Sequence, residues 1–236
     1  ESIGSSRDSI GARAAGHLDI AFRDIMLAQG AELGEGYLLQ VTGEPHPLGN
    51  VAIVSDPQSI DVTQRAIGAL LDSGYPAAVL YPQGVRDSVA RSVEARGFEA
   101  HGAMPAMAVD IERMAATALP SGYDCDRIGT GGDGCAWAET LAVGYGLPHG
   151  LARRFSPEVL GADMAPAARI QFFAIRRNGR QVATSLLYLA DGVAGIYCVA
   201  TLPDERRRGL GAHVTAAALL AAHRQGYRVG VLQASS

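Results

Sequence analysis

Apolar and polar positions alternate with two periods along the chain, and the switches between them mark out its elements. Residues 17–29 place Leu18, Phe22, Ile25 and Met26 on one helical face. Two short strand patterns follow, 36–41 (GYLLQV) and 50–54 (NVAIV), separated by the breakers Gly43, Pro45 and Pro47. Residues 63–73 return to the helical period, with Ile67, Leu70 and Leu71 turned inward and Gly74 as the stop. An apolar run at 77–81 predicts a buried strand, and 85–96 predicts a helix closed by Gly97. Residues 98–102 and 107–111 then read as extended strands on either side of Pro105. The order β-α-β-α-β-β predicts an α/β domain with a mixed sheet.

The breakers Leu119-Pro120-Ser121-Gly122 place a boundary between residues 1–118 and 119–236. Beyond it a helix is predicted over 134–146, then an irregular Pro/His/Gly-rich stretch over 148–166. Strand patterns at 169–176 and 181–189 flank Asn178-Gly179, the strongest short hairpin signal. A third strand is predicted over 194–201, a long Ala-rich helix over 208–225, and a last strand over 229–233. Small side chains let that helix lie close to a sheet, and alanine favours it intrinsically.

Composition narrows the classes. Hydrophobic residues make up 48% of the 236 positions and charged residues 19%, so the chain has ample core and is not disordered. A formal net charge of −4 gives no reason to expect nucleic acid as a partner. All 20 basic residues are arginine, as the codon usage of a GC-rich genome would give; lysine chemistry, Schiff base or Walker-type, is excluded. Cys125, Cys135 and Cys198 are too scattered for a disulfide framework or a metal site. No apolar run reaches the roughly 18 residues of a membrane span. The N-terminus does not resemble a signal peptide, and Glu1 stands where an initiator Met would be. A trimmed start and a cytoplasmic setting are the expectation, with no membrane partner.

The chemically informative segment is 201–212, TLPDERRRGLGA, between a strand and a helix. Arg206-x-x-Gly209-x-Gly211 puts two glycines and an arginine at the first turn of the long helix. Glycines let backbone N–H groups converge and let a ligand approach without a Cβ in the way. The helix N-terminus adds unsatisfied donors and the positive end of its dipole. A pyrophosphate suits such a cradle. The same residues also read as a Gly-containing loop with a solvated Arg206-Arg207-Arg208 run and Asp204 and Glu205 as helix-start charges. Composition alone leaves both readings open.

In context, IYCVATLPDERRRGLGAHVTAAALLAAHRQGYRVGVLQAS resembles the core of the GNAT superfamily of acyl-CoA-dependent N-acetyltransferases. The resemblance is close over 169–236 and loose over 123–168. It implies that Arg206, Arg207, Arg208, Gly209, Leu210, Gly211 and Ala212 hold the pyrophosphate of acetyl-CoA. It also implies that Cys198, Val199, Ala200 and Thr201 pair with the pantetheine arm, opposite Gln233 and Ser235 on the last strand, and that the Val199 backbone N–H polarises the thioester carbonyl. A primary amine of a small molecule or a protein N-terminus would attack directly, with no metal. The first half looks like a degenerate copy of the same fold. In it 50–54 corresponds to the pantetheine strand and 63–73 to the cofactor helix, but the join 55–61 (SDPQSID) has neither glycine nor arginine. The chain also stops where the family continues with a helix and two strands that usually carry a proton-donating tyrosine. Either the C-terminus is missing or the first half supplies what the second lacks; a sheet ending at 229–233 would leave a bare apolar edge, so the former is expected.

Several candidates compete with blander roles. Gly129-Thr130-Gly131-Gly132-Asp133-Gly134 fits G-x-G-x-x-G, but YDCDRI before it is a poor strand and no acid-ended strand follows. A general base is to be sought among Glu139, His149, Glu158, Asp191 and Glu205; His149, in a loop, either lines the site or lies apart from it. Tyr197 either faces the acceptor or packs in the core, and Cys198 reads as a small buried hydrophobe rather than a nucleophile. Trp137, Tyr145 and Phe155 read as core. His213 and His223 are ten apart, the wrong spacing for metal ligands on one face. The sequence thus predicts an N-acetyltransferase of two GNAT-like α/β domains, the second holding the donor. The alternative is a CoA-binding sensor without turnover. Acceptor and oligomeric state are not legible.

Overall fold

The computed structural model describes residues 3–56, 58–81, 85–102, 105–115, 118–161, 164, 165 and 168–233. The chain forms two compact units: Phe22–Ala103, and Glu1–Ala21 together with Met104–Ser236. Helix α1 (Ile3–Ala28) contributes to both.

The middle unit carries strands β1 (Glu32–Gly34), β2 (Tyr37–Val41), β3 (Asn50–Val54) and β4 (Ala78–Leu80), with helices α2 (Ile60–Asp72) and α3 (Asp87–Glu94). The sheet order is β1-β2-β3-β4, antiparallel twice and then parallel through the α2 crossover. Ile67 and Leu70 of α2 are fully buried, as their helical spacing requires, and Leu70 packs on Ala52 and Val54 of β3. Asn50 starts β3 with every polar atom engaged: Nδ2 donates to the Glu44, His46 and Pro76 carbonyls, and Oδ1 accepts from Thr42 and Gly43. The predicted strand at 98–102 is not formed.

The other unit is built on β5 (Ala106–Asp110), β6 (Asp124–Ile128), α4 (Gly132–Tyr145), α5 (His149–Arg154), α6 (Pro157–Leu160), β7 (Ile170–Arg177), β8 (Arg180–Ala190), β9 (Val193–Thr201), α7 (Leu210–His223) and β10 (Val229–Gln233). Its sheet runs β5-β10-β9-β8-β7-β6. From β7 to β10 the pairings are antiparallel, antiparallel and parallel, with α7 as the crossover. That repeats the middle unit's β1-β2-β3-α2-β4. Val214, Ala218, Leu219 and Ala222 of α7 bury against Leu187, Ala194 and Ile196 of the sheet. Gly230 leaves the space into which Leu219 fits, since a Cβ there would lie 2.6 Å from Leu219 Cδ2.

Two expectations are corrected. The poor strand YDCDRI is β6, held by five register pairs to β7. The edge of β10 is not bare: β5 pairs along it from Ala106↔Gln233 to Asp110↔Val229. β5 thus belongs to the second sheet, and Ala14 of α1 packs on Val193 and Val231. The irregular stretch at 148–166 contains the two short helices α5 and α6.

Candidate functional site

Strands β9 and β10 run in parallel register from Val193↔Val229 to Ile196↔Leu232 and then part. Beyond that point β9 keeps its antiparallel pairing to β8 through Ala200↔Thr184 and Thr201↔Ala183. On its other side β10 keeps its pairing to β5 as far as Gln233. Among the described residues the β9/β10 ladder goes no further than Ile196↔Leu232, so residues 197–201 have no described backbone partner on that side, while each strand is held from behind. A register shift on the β8/β9 ladder accompanies the split, with Cys198 at φ 52°. The bend is fixed from β8 by Thr184 Oγ1, which donates to the Cys198 carbonyl at 3.0 Å.

The turn after β9 comes next. A short 3-10 turn over Pro203–Glu205 leads to Arg206, then Arg207 at φ 62°, and Gly209 caps α7 in the left-handed region at φ 76°. No side chain caps this helix, so the first-turn N–H groups of Leu210–Ala212 have no acceptor within the helix. Gly211 faces Thr201 Oγ1 and Val199 Cγ1, each 3.7 Å from where its Cβ would stand. The cradle is open to an anion beside the exposed β9 edge. In the middle unit the equivalent helix start is closed: Ser59 caps α2 by accepting from the Val62 N–H, and Asp61 follows in the first turn.

The three arginines do different work. Arg206, expected to contribute charge, is a clamp: Nη2 donates to the Gly144 carbonyl at 2.8 Å and Nε to the Thr201 carbonyl at 3.3 Å. It fastens the last turn of α4 to the end of β9, where Gly144 comes so close that a Cβ would lie 2.8 Å from Ala200 Cβ. Arg208 pairs with Glu205 at 3.2 Å. Arg207 is exposed, and among the described residues its guanidinium makes no ion pair or hydrogen bond.

Glu205 is not a loose helix-start charge. It is 5% exposed and accepts from Tyr123 Oη at 2.6 Å, Arg177 at 3.1 Å and Arg208. The Tyr123 hydrogen bond above all, with Arg177 beside it, holds its carboxyl below the usual range, so it is an anchored anion and not a base. Asp204 pairs with Arg180 at 3.0 Å.

The Gly-rich start of α4 is filled by the protein itself. Glu158 Oε1 accepts from the Gly131 N–H at 2.9 Å, and its carboxylate occupies the space a Cβ at Gly134 would need. Its strand, β6, is antiparallel to its neighbour, so the glycines open no parallel βαβ unit and the dinucleotide reading fails.

Of the remaining candidates, Glu139, His149 and Asp191 are exposed. Trp137 is core, its Nε1 donating to the Phe173 carbonyl at 3.0 Å. Tyr145, expected in the core, is half exposed at the end of α4, near Cys198. Burial pushes the Cys198 thiol up to about 12, which leaves it without the thiolate a nucleophile needs. Gln233 lies across the split with a buried Nε2 that has no described partner; Ser235 lies outside the described residues. Tyr197 makes a contact that sequence reasoning missed, a 3.0 Å hydrogen bond with His17. Among the described residues no group of three or more His, Cys, Asp or Glu is placed to hold a metal ion, and no helix is long and apolar enough to cross a membrane.

Residues 147–235 match the acetyltransferase (GNAT) family. The fold matches a GCN5-related N-acetyltransferase from Kribbella flavida over 94% of this chain and 85% of that one (TM-score 0.66, 18% identity). It also matches a GCN5-related N-acetyltransferase from Sphaerobacter thermophilus over 87% and 73% (TM-score 0.61, 17% identity). A conserved protein of unknown function from Staphylococcus epidermidis matches over 86% and 82% (TM-score 0.54, 10% identity). No curated protein matches in sequence. The chain has the GNAT fold in two GNAT-like halves, and its C-terminal part carries the family's acetyltransferase domain, which implies an acyl-CoA donor.

Proposed function

We propose that the protein transfers an acetyl group from acetyl-CoA to a primary amine, and that only the C-terminal unit takes the donor. The observation carrying this reading is the split after Ile196↔Leu232, which faces the uncapped start of α7. The diphosphate would rest on the N–H groups of Leu210, Gly211 and Ala212, with Gly209 turning the chain and Arg207 adding charge. Arg206 and Arg208 act one step back, Arg206 holding Thr201 and Arg208 fixing the turn through Glu205. The pantetheine amides would add to the open edge at Cys198–Thr201 as a strand does, opposite Gln233 and Ser235. Bound there, the donor supplies an activated acetyl thioester. The Val199 N–H, at the bend, is the donor aimed at its carbonyl oxygen. The acceptor is a small-molecule amine or a protein N-terminus, in a cytoplasmic setting and with no nucleic acid, membrane or metal partner.

Calorimetry with acetyl-CoA on the full chain and on the Gly209→Glu, Gly211→Glu variant tests the site. Tight binding by the parent and a loss of at least about 100-fold in the variant is expected, since two carboxylates then stand where the diphosphate would sit. Equal binding by both overturns the placement. Thiol release on adding an amine separates transfer from a sensor that binds without turnover.

A further inference from the structure

Of the histidines, His17 alone is buried. Helix α1 turns Arg13, Ala14 and His17 toward the start of β9: Arg13 Nη2 donates to the Gly192 carbonyl at 3.2 Å, and Ala14 packs on Val193 and Val231. His17 is 2% exposed and lies over Gly195, where a Cβ would collide with its ring. Its Nδ1 is 3.0 Å from Tyr197 Oη, and its ring meets Tyr188 edge-on at 5.6 Å. Nε2 is buried, and the Tyr188 and Val193 backbones lie against the ring. Tyr197 is the first residue of β9 beyond its last pair with β10. Tyr197 thus leaves the ladder at the first position past its last pair, with its ring over Gly195 and its hydroxyl on the imidazole.

Burial pushes the His17 imidazole below its ordinary value and the Tyr197 phenol above its own. Both are then neutral near pH 7, and one of the two arrangements the 3.0 Å contact allows has Tyr197 Oη donating to the Nδ1 lone pair while Nε2 carries the ring hydrogen. The charged and titratable groups facing His17 among the described residues are Tyr188, Tyr197, Asp191 and Arg169. Asp191 favours the imidazolium and Arg169 opposes it.

We propose that Tyr197 and His17 form a proton relay for the acceptor amine, Tyr197 touching the nitrogen and His17 holding the proton behind it. The relay rests on the acetyl-transfer reading of this same split and deepens it. The amine nitrogen bonds to the acetyl carbon and the carbon–sulfur bond breaks. As the new bond forms, the nitrogen becomes strongly acidic. Its proton passes to Tyr197 Oη while the phenol's own proton moves to His17 Nδ1, giving an imidazolium. The thiolate leaves and takes a proton from solvent, and His17 returns its proton to water through Tyr197. An imidazole of lowered basicity suffices, because the group it must relieve is a far stronger acid than a free ammonium. Tyr197 is the catalytic residue and His17 positions and discharges it.

Two variants test this. Tyr197→Phe keeps the ring, and His17→Asn keeps an acceptor for Tyr197 that cannot take a proton. Each is assayed for acetyl-CoA binding, and for thiol release across pH with spermidine, kanamycin, an alanyl peptide and a lysyl peptide. Donor binding within about threefold of the parent, with kcat down about 100-fold, is expected. The parent's loss of rate toward low pH has two parts, protonation of the acceptor amine and protonation of the imidazole beforehand; the imidazole's part should be absent in His17→Asn, leaving the amine's own limb, whereas a merely structural histidine would leave both. Parent turnover that neither substitution slows, or an unchanged pH profile in His17→Asn, overturns the relay alone. No thiol release from the parent with any of the four amines overturns the transfer reading and the relay with it.

Discussion

Single residues decide what the turn before α7 can accept. Gly209 and Gly211 look alike in the sequence, yet they answer different demands. Gly209 needs its left-handed φ of 76°, whereas Gly211 sits in the helix with ordinary contact distances around its missing Cβ. Gly209→Ala should cost about 1–2 kcal/mol, and Gly211→Ala should stabilise by about 0.5–1 kcal/mol, as urea unfolding would show. His17 makes a second prediction at this scale. Its folded-state value lies below the 6.5 of an exposed imidazole, so the unfolded chain binds the extra proton first. Its contribution is therefore complete above pH 6.5 and is lost as the pH falls below it. Unfolding midpoints of the parent should decline over that window, and those of His17→Asn should decline less. The sequence hid this histidine because the helix was read on Leu18, Phe22, Ile25 and Met26. Ile25 and Met26 of that face are buried, with Phe22 packed against Met26, but the helix also buries Ala14, His17 and Ala21, whose small residues gave a weak signal.

Elements were more legible than their neighbours. The β10 bounds, the Asn178-Gly179 hairpin and the glycine-led helix follow from local periodicity and turn chemistry, which need no knowledge of the rest of the chain. Strand β6 escaped because DCDRI alternates with acids outward, and only its ladder to β7 makes it a strand. Glu158 plugging α4, Glu205 under Tyr123 and Arg177, and Arg206 clamping Gly144 are contacts across tens of residues, and no local pattern announces them. Asn50 shows how much one side chain can hold at an element's start. Asn50→Leu removes partners from five backbone groups, so it should cost on the order of 3 kcal/mol, read as the lower-temperature step in a melting curve of the full chain.

At the scale of the molecule, the repeat of antiparallel, antiparallel and parallel pairings in both units explains how the two halves can differ at the start of the crossover helix and keep one fold. The fold is set by buried strands and crossover helices, the cradle by a few exposed turn residues, and the two can diverge separately. The two-part organisation was readable from breakers and periodicity; the assignment of β5 to the second sheet was not, because strand partners far apart in sequence leave no local mark. That pairing has a consequence during synthesis. The middle unit owns a contiguous stretch and can fold as soon as it clears the ribosome. The N-terminal helical segment and β5, made far earlier than β10, must wait for the final strand before they can dock. Their apolar faces are the ones a nascent chain leaves uncovered longest, and there a chaperone would find its handhold.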